Sequence, residues 1–246
     1  MKEDILEQLV EDWLQSQGYF TRANVKFKPS PDHPDFQSRK DSVASDIDVI
    51  GWHPKRTGAD AVIVVTCKSW QDGFSIRDMT RALLESRDKL IGNKEAWKHF
   101  RELVEPRWTQ ALLHAVEEKT GLRVFTYITA VTRLHDPEDK VLWEENVDFK
   151  AALGASPIKI ITLAEMLSSI FSQLGTTVES SQFSRTLQLI KAAGLQVELA
   201  DIGARRKNSG KRKARPYAGC AGQFNVPDDF DAPLPEQVLA DFEGRG

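Results

Sequence analysis

The stretch "DIDVIGWHPKRTGADAVIVVTCKSW" spans residues 46–70. Both of its ends are apolar and rich in β-branched residues, whereas residues 53–60 between them are turn formers. The pattern predicts a β-hairpin whose second strand, residues 61–68, is buried at the centre of a sheet. Lys68 ends this strand. Because lysine is rarely buried without a partner, we expect a group that pairs with it nearby.

Side chains alternate between the two faces of a strand. Thr66 and Lys68 are therefore expected on one face, and the Cys67 side chain is expected to point into the core. Asp46 and Asp48 share a face of the preceding strand. If these faces align, Asp48 and Lys68 meet at one edge of the sheet, and a structural salt bridge is the simplest interpretation of such a pair.

Hydrophobic periodicity predicts further elements on both sides of the hairpin. Residues 4–17 place apolar side chains at helical spacing, and Gly18 is a natural end for that helix. The other expected elements are a strand at 19–27, a loop at 28–45, helices at 75–92 and 94–119 with a break near Pro106, strands at 123–132 and 158–162, and a helix at 163–175. This succession predicts an α/β fold with a mixed central sheet flanked by helices.

The chain divides into three predicted parts. Residues 1–175 form the main domain, residues 176–202 a C-terminal extension of a helix and a short strand, and residues 203–246 a flexible basic linker with a weakly structured acidic tail. The basic linker contains Arg205, Arg206, Lys207, Lys211, Arg212, Lys213 and Arg215. Such a run can contact nucleic-acid phosphates, and a solvated linker is an equally good interpretation.

The overall composition excludes several classes of protein. The chain has 246 residues and a formal net charge of −3, so no basic field covers the whole molecule. The two cysteines are far apart and neither has a CxxC partner, which argues against a disulfide framework or a structural zinc site. The acidic, amphipathic start is unlike a signal peptide, and no apolar run reaches the about 18 residues of a membrane span. We therefore expect a cytoplasmic protein without a membrane partner.

The hairpin resembles the signature of the PD-(D/E)xK, or restriction endonuclease-like, nuclease superfamily. In that signature an acidic residue at the start of one strand is followed by a second acid two residues before a lysine. The stretch "LEQLVEDWLQSQGYF" (6–20) adds a second similarity, because resolvase- and Mrr-like members carry a glutamate on the first helix, before a Gly-aromatic pair. The resemblance covers residues 4–175.

The resemblance implies a restriction endonuclease-like fold and a metal-dependent endodeoxyribonuclease. Asp48, Glu7 and the backbone carbonyl of Cys67 would bind Mg²⁺ or Mn²⁺, and Lys68 would orient the attacking water and stabilise charge on the phosphate. Hard oxygen ligands are those that Mg²⁺ prefers. The implied partner is DNA. Cutting both strands takes two sites, so the resemblance is also compatible with a homodimer.

Thr66 departs from this signature, because the family has an acid at that position. Asp46, Asp72 or Glu85 could supply the missing carboxylate. Alternatively, Glu7 and Asp48 hold the ion alone, or the domain has lost catalysis and only binds nucleic acid. A protein-interaction domain unrelated to nucleic acid is the remaining interpretation.

Overall fold

The computed structural model describes residues 4–154, 156–176 and 181–194. The strand expected at 195–200, the basic linker and the acidic tail lie outside the described residues. Within them, no helix is long and apolar enough to cross a membrane.

The elements follow one another in an alternation of helices and strands. In chain order they are α1 (Ile5–Ser16), β1 (Phe20–Phe27), α2 (Ser38–Asp41), β2 (Ser45–Trp52), β3 (Val62–Lys68), α3 (Ile76–Glu85), β4 (Leu90–Ile91), β5 (Lys94–Glu95), α4 (Arg101–Val104), α5 (Pro106–Thr120), β6 (Thr126–Val131), α6 (Lys140–Glu144), α7 (Val147–Ala152), β7 (Ile158–Thr162), α8 (Leu163–Gln173) and α9 (Gln182–Ala192). Short 3₁₀ turns occupy Gly58–Ala61, Ala96–His99 and Pro137–Asp139.

Five strands form one mixed sheet in the order β1-β2-β3-β6-β7. The first three strands are antiparallel, and the pairs β3–β6 and β6–β7 are parallel. The α/β prediction with a mixed, helix-flanked sheet is thereby confirmed, as is the hairpin of β2 and β3. The strand β3 is apolar on both faces because it lies in the middle of the sheet, where both faces are covered.

Two apolar clusters lie on opposite faces of the sheet. On one face, α1, α8 and α9 pack over Val49, Ile63 and Val65. On the other, α3 to α7 pack over Ile50 and Val64. Asp4 caps α1 by accepting a hydrogen bond from the Leu6 backbone N–H at 2.9 Å. It also accepts one from the Ser69 hydroxyl, which places the start of α1 near the end of β3.

The two long helices predicted after the hairpin are shorter in the structure. The Ser75 side chain caps the start of α3 by accepting a hydrogen bond from the Asp78 backbone N–H, but α3 ends at Glu85. After it, β4 and β5 form a small hairpin around Gly92, whose φ is 61°. The stretch 94–119 is broken into a 3₁₀ turn, α4 and α5, with Pro106 in the first turn of α5. Proline lacks the N–H that would continue a helix from the preceding turn.

The side chains of β2 depart from regular alternation between the two faces of the sheet at Asp48. Ile47 packs in one apolar cluster and Val49 in the opposite one, although the register is continuous from Val25↔Ile47 to Ala23↔Val49. Asn24, between the paired positions on β1, has a φ of 57°, the left-handed region that asparagine tolerates better than most residues. Strict alternation therefore does not hold across Asp48, which lies at this step.

The loop expected at 28–45 contains the short helix α2 and is anchored by a buried carboxylate. Asp41 accepts hydrogen bonds from the Arg107 guanidinium at 2.7 Å and from the Trp108 indole N–H at 2.9 Å. It also accepts one from the Gln37 backbone N–H at 2.8 Å. The end of the loop is thus held against α5 and leads directly into β2.

Candidate active site

Asp48 and Lys68 converge on the hydroxyl group of Thr66. Thr66 Oγ1 donates to Asp48 Oδ2 at 3.3 Å and accepts from Lys68 Nζ at 2.9 Å. No direct ion pair joins the carboxylate to the ammonium in the described structure. The two side chains that were predicted to meet are linked through the Thr66 hydroxyl.

The backbone of Cys67 is part of the same network. Its N–H donates to Asp48 Oδ2 at 2.5 Å, and its carbonyl accepts from Lys68 Nζ at 3.2 Å. The Cys67 side chain packs against the cluster under α1, as alternation predicts. Burial raises the pKa of the Cys67 thiol well above its ordinary value, which makes it a poor nucleophile.

Glu7 lies within an acidic cluster beside these strands. Burial is the largest cause that raises its pKa from 4.5 to about 7, and the charges on Asp48, Asp4 and Asp46 raise it further. Lys68 acts in the opposite direction. The Ser69 hydroxyl donates to Asp4 Oδ2 at 2.7 Å, which ties the start of α1 to the chain that leaves β3.

Asp48 itself is a half-buried carboxylate. Burial raises its pKa, and the positive charge of Lys68 and the hydrogen bond from the Cys67 N–H oppose that rise. A carboxylate held in this way is ready to pair with a further cation, because its desolvation is only partly offset.

The three acids considered as substitutes at position 66 are not equivalent. Asp46 Oδ2 accepts an ion-pair hydrogen bond from Lys26 at 2.6 Å, but its charge still raises the pKa of both Glu7 and Asp48. Asp72 and Glu85 are exposed, and neither contacts Asp48, Thr66 or Lys68. Of the three, only Asp46 is brought to the site.

A fourth acid, Glu102 on α4, was missed by the sequence analysis. Its side chain is buried, and its Oε1 accepts a hydrogen bond from the Tyr127 hydroxyl at 2.5 Å. The Tyr127 phenol also lies near the Thr66 hydroxyl and the Asp48 charge, and burial raises its pKa well above the ordinary value. Burial raises the pKa of Glu102, while the charge on Lys68 lowers it and that on Asp48 raises it. The available signal was a glutamate among apolar residues on a short helix.

An aromatic ring lies beside the amine of Lys68. Its Nζ lies 5.1 Å from the centre of the Phe100 ring. His99 is close enough that the Lys68 charge, together with burial, lowers its pKa. Trp70 meets His99 edge-on, with ring centres 5.2 Å apart, and stacks on Phe74. The lysine that ends the buried strand is therefore held by a hydroxyl, a carbonyl and a ring face.

The predicted metal ligands have the right chemistry for a divalent ion, but their arrangement in the structure is not that of a metal site. Glu7, Asp48 and the Cys67 carbonyl are hard oxygen donors, and the mutual repulsion of the acids is what a bound cation would relieve. However, no group of three or more His, Cys, Asp or Glu side chains within the described ranges stands in an arrangement that could hold a metal ion. The Mg²⁺ or Mn²⁺ site stays a prediction.

Comparisons with protein-family models, curated proteins and solved structures found no match to this chain. The seven cations of the basic linker lie outside the described residues. The case for function therefore depends on the network around Thr66 and on the fold that forms it.

Proposed function

We propose that the chain is a Mg²⁺- or Mn²⁺-dependent nuclease of the PD-(D/E)xK superfamily that hydrolyses phosphodiester bonds in DNA. One observation carries this proposal: Asp48 and Lys68, from two neighbouring strands, meet at Thr66, with Glu7 in the same electrostatic environment. A structural salt bridge accounts for less, because the two groups do not pair directly.

The architecture supports a restriction endonuclease-like fold. The helix α1 precedes the three antiparallel strands β1, β2 and β3. The parallel strands β6 and β7 complete the sheet, and the helix α8 follows them. This is the order of elements that the family resemblance implies. Because one fold hosts many functions, the fold alone does not establish nuclease activity.

Each residue has a defined role in the proposed reaction. Asp48, Glu7 and the Cys67 carbonyl would hold the metal, and a bound divalent ion supplies an acidified water and a positive charge near the phosphate. Lys68 stabilises negative charge that builds on the phosphate. Thr66 orients both Asp48 and Lys68 through its hydroxyl.

Glu102 and Tyr127 complete this arrangement from behind Thr66. Both side chains are buried, the Tyr127 hydroxyl donates to Glu102 at 2.5 Å, and the Tyr127 phenol lies near the Thr66 hydroxyl. A buried hydrogen bond of this kind fixes the orientation of both of its side chains. We assign Glu102 a positioning role, because it acts on the site through Tyr127 and Thr66.

A catalytically inactive, nucleic-acid-binding module is the second candidate. It is favoured by the Thr66 substitution and by the hydrogen bond from Lys68 to the Cys67 carbonyl, one of the predicted metal ligands. This module would bind DNA with a steep salt dependence and would neither bind Mn²⁺ nor cleave.

Plasmid cleavage in Mg²⁺ or Mn²⁺ tests the proposal. Asp48→Asn and Lys68→Met should each lower the cleavage rate by on the order of 100-fold, and Glu7→Gln should also lower it. Glu85→Gln and Lys89→Met remove the same kinds of charge from exposed side chains and should leave the cleavage rate unchanged. Equal rates in all five variants and wild type would refute the assignment, and titration calorimetry with Mn²⁺ separates the two candidates.

A further inference from the structure

A group of cations surrounds the Trp97 ring next to the candidate site. We call Lys40, Trp97, Lys98 and Arg101 the Trp97 patch. The Nζ atoms of Lys40 and Lys98 lie 5.9 and 5.5 Å from the centre of the Trp97 ring, and the guanidinium carbon of Arg101 lies 5.8 Å from it. This is a local concentration of positive charge in a chain whose net charge is −3.

Arg101 is held in place without an anionic partner. Its guanidinium carbon is 4.6 Å from the centre of the Trp108 ring, so it lies between two indoles. Its Nε is buried without a hydrogen-bond partner, and its Nη1 donates one long hydrogen bond, 3.5 Å, to the Val43 carbonyl. Burial lowers its pKa, and the charges on Glu102, Asp41 and Asp46 oppose that change, although none of these carboxylates forms an ion pair with it in the described part of the chain.

Such a guanidinium is poised to bind an anion. Its desolvation is only partly offset by the two rings, and a bound oxyanion would offset the remainder. Among its neighbours, Lys98 is already paired with Glu95. Lys40 is exposed and has no carboxylate partner within the described ranges. The patch therefore presents two cations, Arg101 and Lys40, that form no direct ion pair with a carboxylate in the described part of the chain.

The position of the patch indicates which anion it fits. The Asp46 carboxylate is close enough to act on the pKa of Arg101, and Phe100, which covers the Lys68 amine, directly precedes Arg101 in the chain. The neighbouring site is acidic, so it repels a polyanion unless adjacent cations compensate. A nucleic-acid backbone is a polyanion with regularly spaced phosphates, and the planar guanidinium matches a phosphate.

We propose that the Trp97 patch binds backbone phosphates of duplex DNA, with Arg101 contacting one phosphate and Lys40 a neighbouring one. The identity of the partner rests on the proposed function, whereas the anion-binding character of the patch rests on its own geometry. Contacts of this kind position a duplex without reading its sequence.

Fluorescence anisotropy with a labelled DNA duplex of about 20 base pairs, in EDTA and at KCl from about 50 to 200 mM, tests the patch without cleavage. Arg101→Gln and Lys40→Gln should each weaken binding about three- to tenfold and lower the slope of log K against log [KCl] by about 1. The double variant should lower it by about 2. Arg123→Gln removes the same charge from a side chain that is 80% exposed and paired with Glu117, and should leave the slope unchanged.

Four outcomes decide the proposal. Slopes equal to wild type in both single variants overturn it, and so does a wild-type chain that does not bind the duplex. Because Arg101 is half-buried, thermal unfolding is used to check that the Arg101→Gln variant is folded. Lys40 is exposed, so Lys40→Gln tests the patch even if Arg101→Gln does not fold. A chain that binds through the patch but does not cleave with Mg²⁺ supports the patch and contradicts the nuclease assignment. A chain that cleaves DNA while the patch variants bind normally contradicts the patch and supports the nuclease assignment.

Discussion

Replacing Glu7 by glutamine should make the protein more stable and less active. The acidic cluster and burial raise the pKa of Glu7 from 4.5 to about 7, so ionising this carboxyl costs more in the folded chain than in the unfolded chain. At about 1.36 kcal/mol per pH unit, this difference corresponds to at most about 3.4 kcal/mol. Glu7 is only partly buried, and solvent screening reduces the expected penalty to about 1–2 kcal/mol.

The sign of the pH dependence follows from the raised pKa. Above pH 7 the carboxyl is ionised in both states and the penalty on the folded chain is fully present, whereas below pH 4.5 it is protonated in both and the penalty is absent. Wild type should therefore lose stability as the pH rises from 4.5 through 7. Glu7→Gln removes this loss, so it should gain about 1–2 kcal/mol at pH 8 and about a quarter of that at pH 5.

Urea unfolding of the full chain, followed by circular dichroism at pH 5 and pH 8, measures this difference. Glu11→Gln makes the same chemical change one turn further along α1 and should shift the free energy of unfolding by less than about 0.5 kcal/mol at both values. A Glu7→Gln variant that is destabilised, or whose gain is equal at pH 5 and pH 8, would refute the reasoning.

A divalent ion should act on the same repulsion. If Mg²⁺ binds between Glu7 and Asp48, adding it at about 100 times its dissociation constant should stabilise wild type by about 2.7 kcal/mol. Glu7→Gln should gain much less. Equal stabilisation of both proteins by Mg²⁺ would show that the ion binds elsewhere.

Three further predictions concern the residues that support the site. Tyr127→Phe removes the hydroxyl between Thr66 and Glu102 and should cost about 1–3 kcal/mol of stability and roughly tenfold in plasmid cleavage; Tyr19→Phe, which also loses a hydrogen bond, should leave cleavage unchanged. Asp41→Ala leaves the buried Arg107 guanidinium without its main partner and should cost about 3–5 kcal/mol in urea unfolding, against less than about 1 kcal/mol for the exposed Glu117→Ala. Gly18→Ala should cost about 1–2 kcal/mol in the same assay, because φ is 87° and the new Cβ would lie 3.0 Å from the His53 ring; no loss would contradict the strain.

Local patterns in the sequence were sufficient to predict the elements that form the sheet. The hairpin of β2 and β3, the helix α1 with its end at Gly18 and the strand Ile158–Thr162 each depend on short-range signals: apolar periodicity, turn formers and a glycine with positive φ. The same signals overestimated α3, because a run of charged residues after Glu85 is compatible with a helix until its packing partners are known.

The tertiary structure alone decided how the site is assembled. Asp48 reaches Thr66 because the antiparallel register of β2 and β3, in which Val49 pairs with Val65, places residue 48 opposite residue 66. Glu102 joins the network only because α4 packs over Tyr127, 25 residues further along the chain. Residue type and spacing indicate which groups can do chemistry, whereas long-range packing determines which of them meet, since those contacts join segments that no local pattern connects.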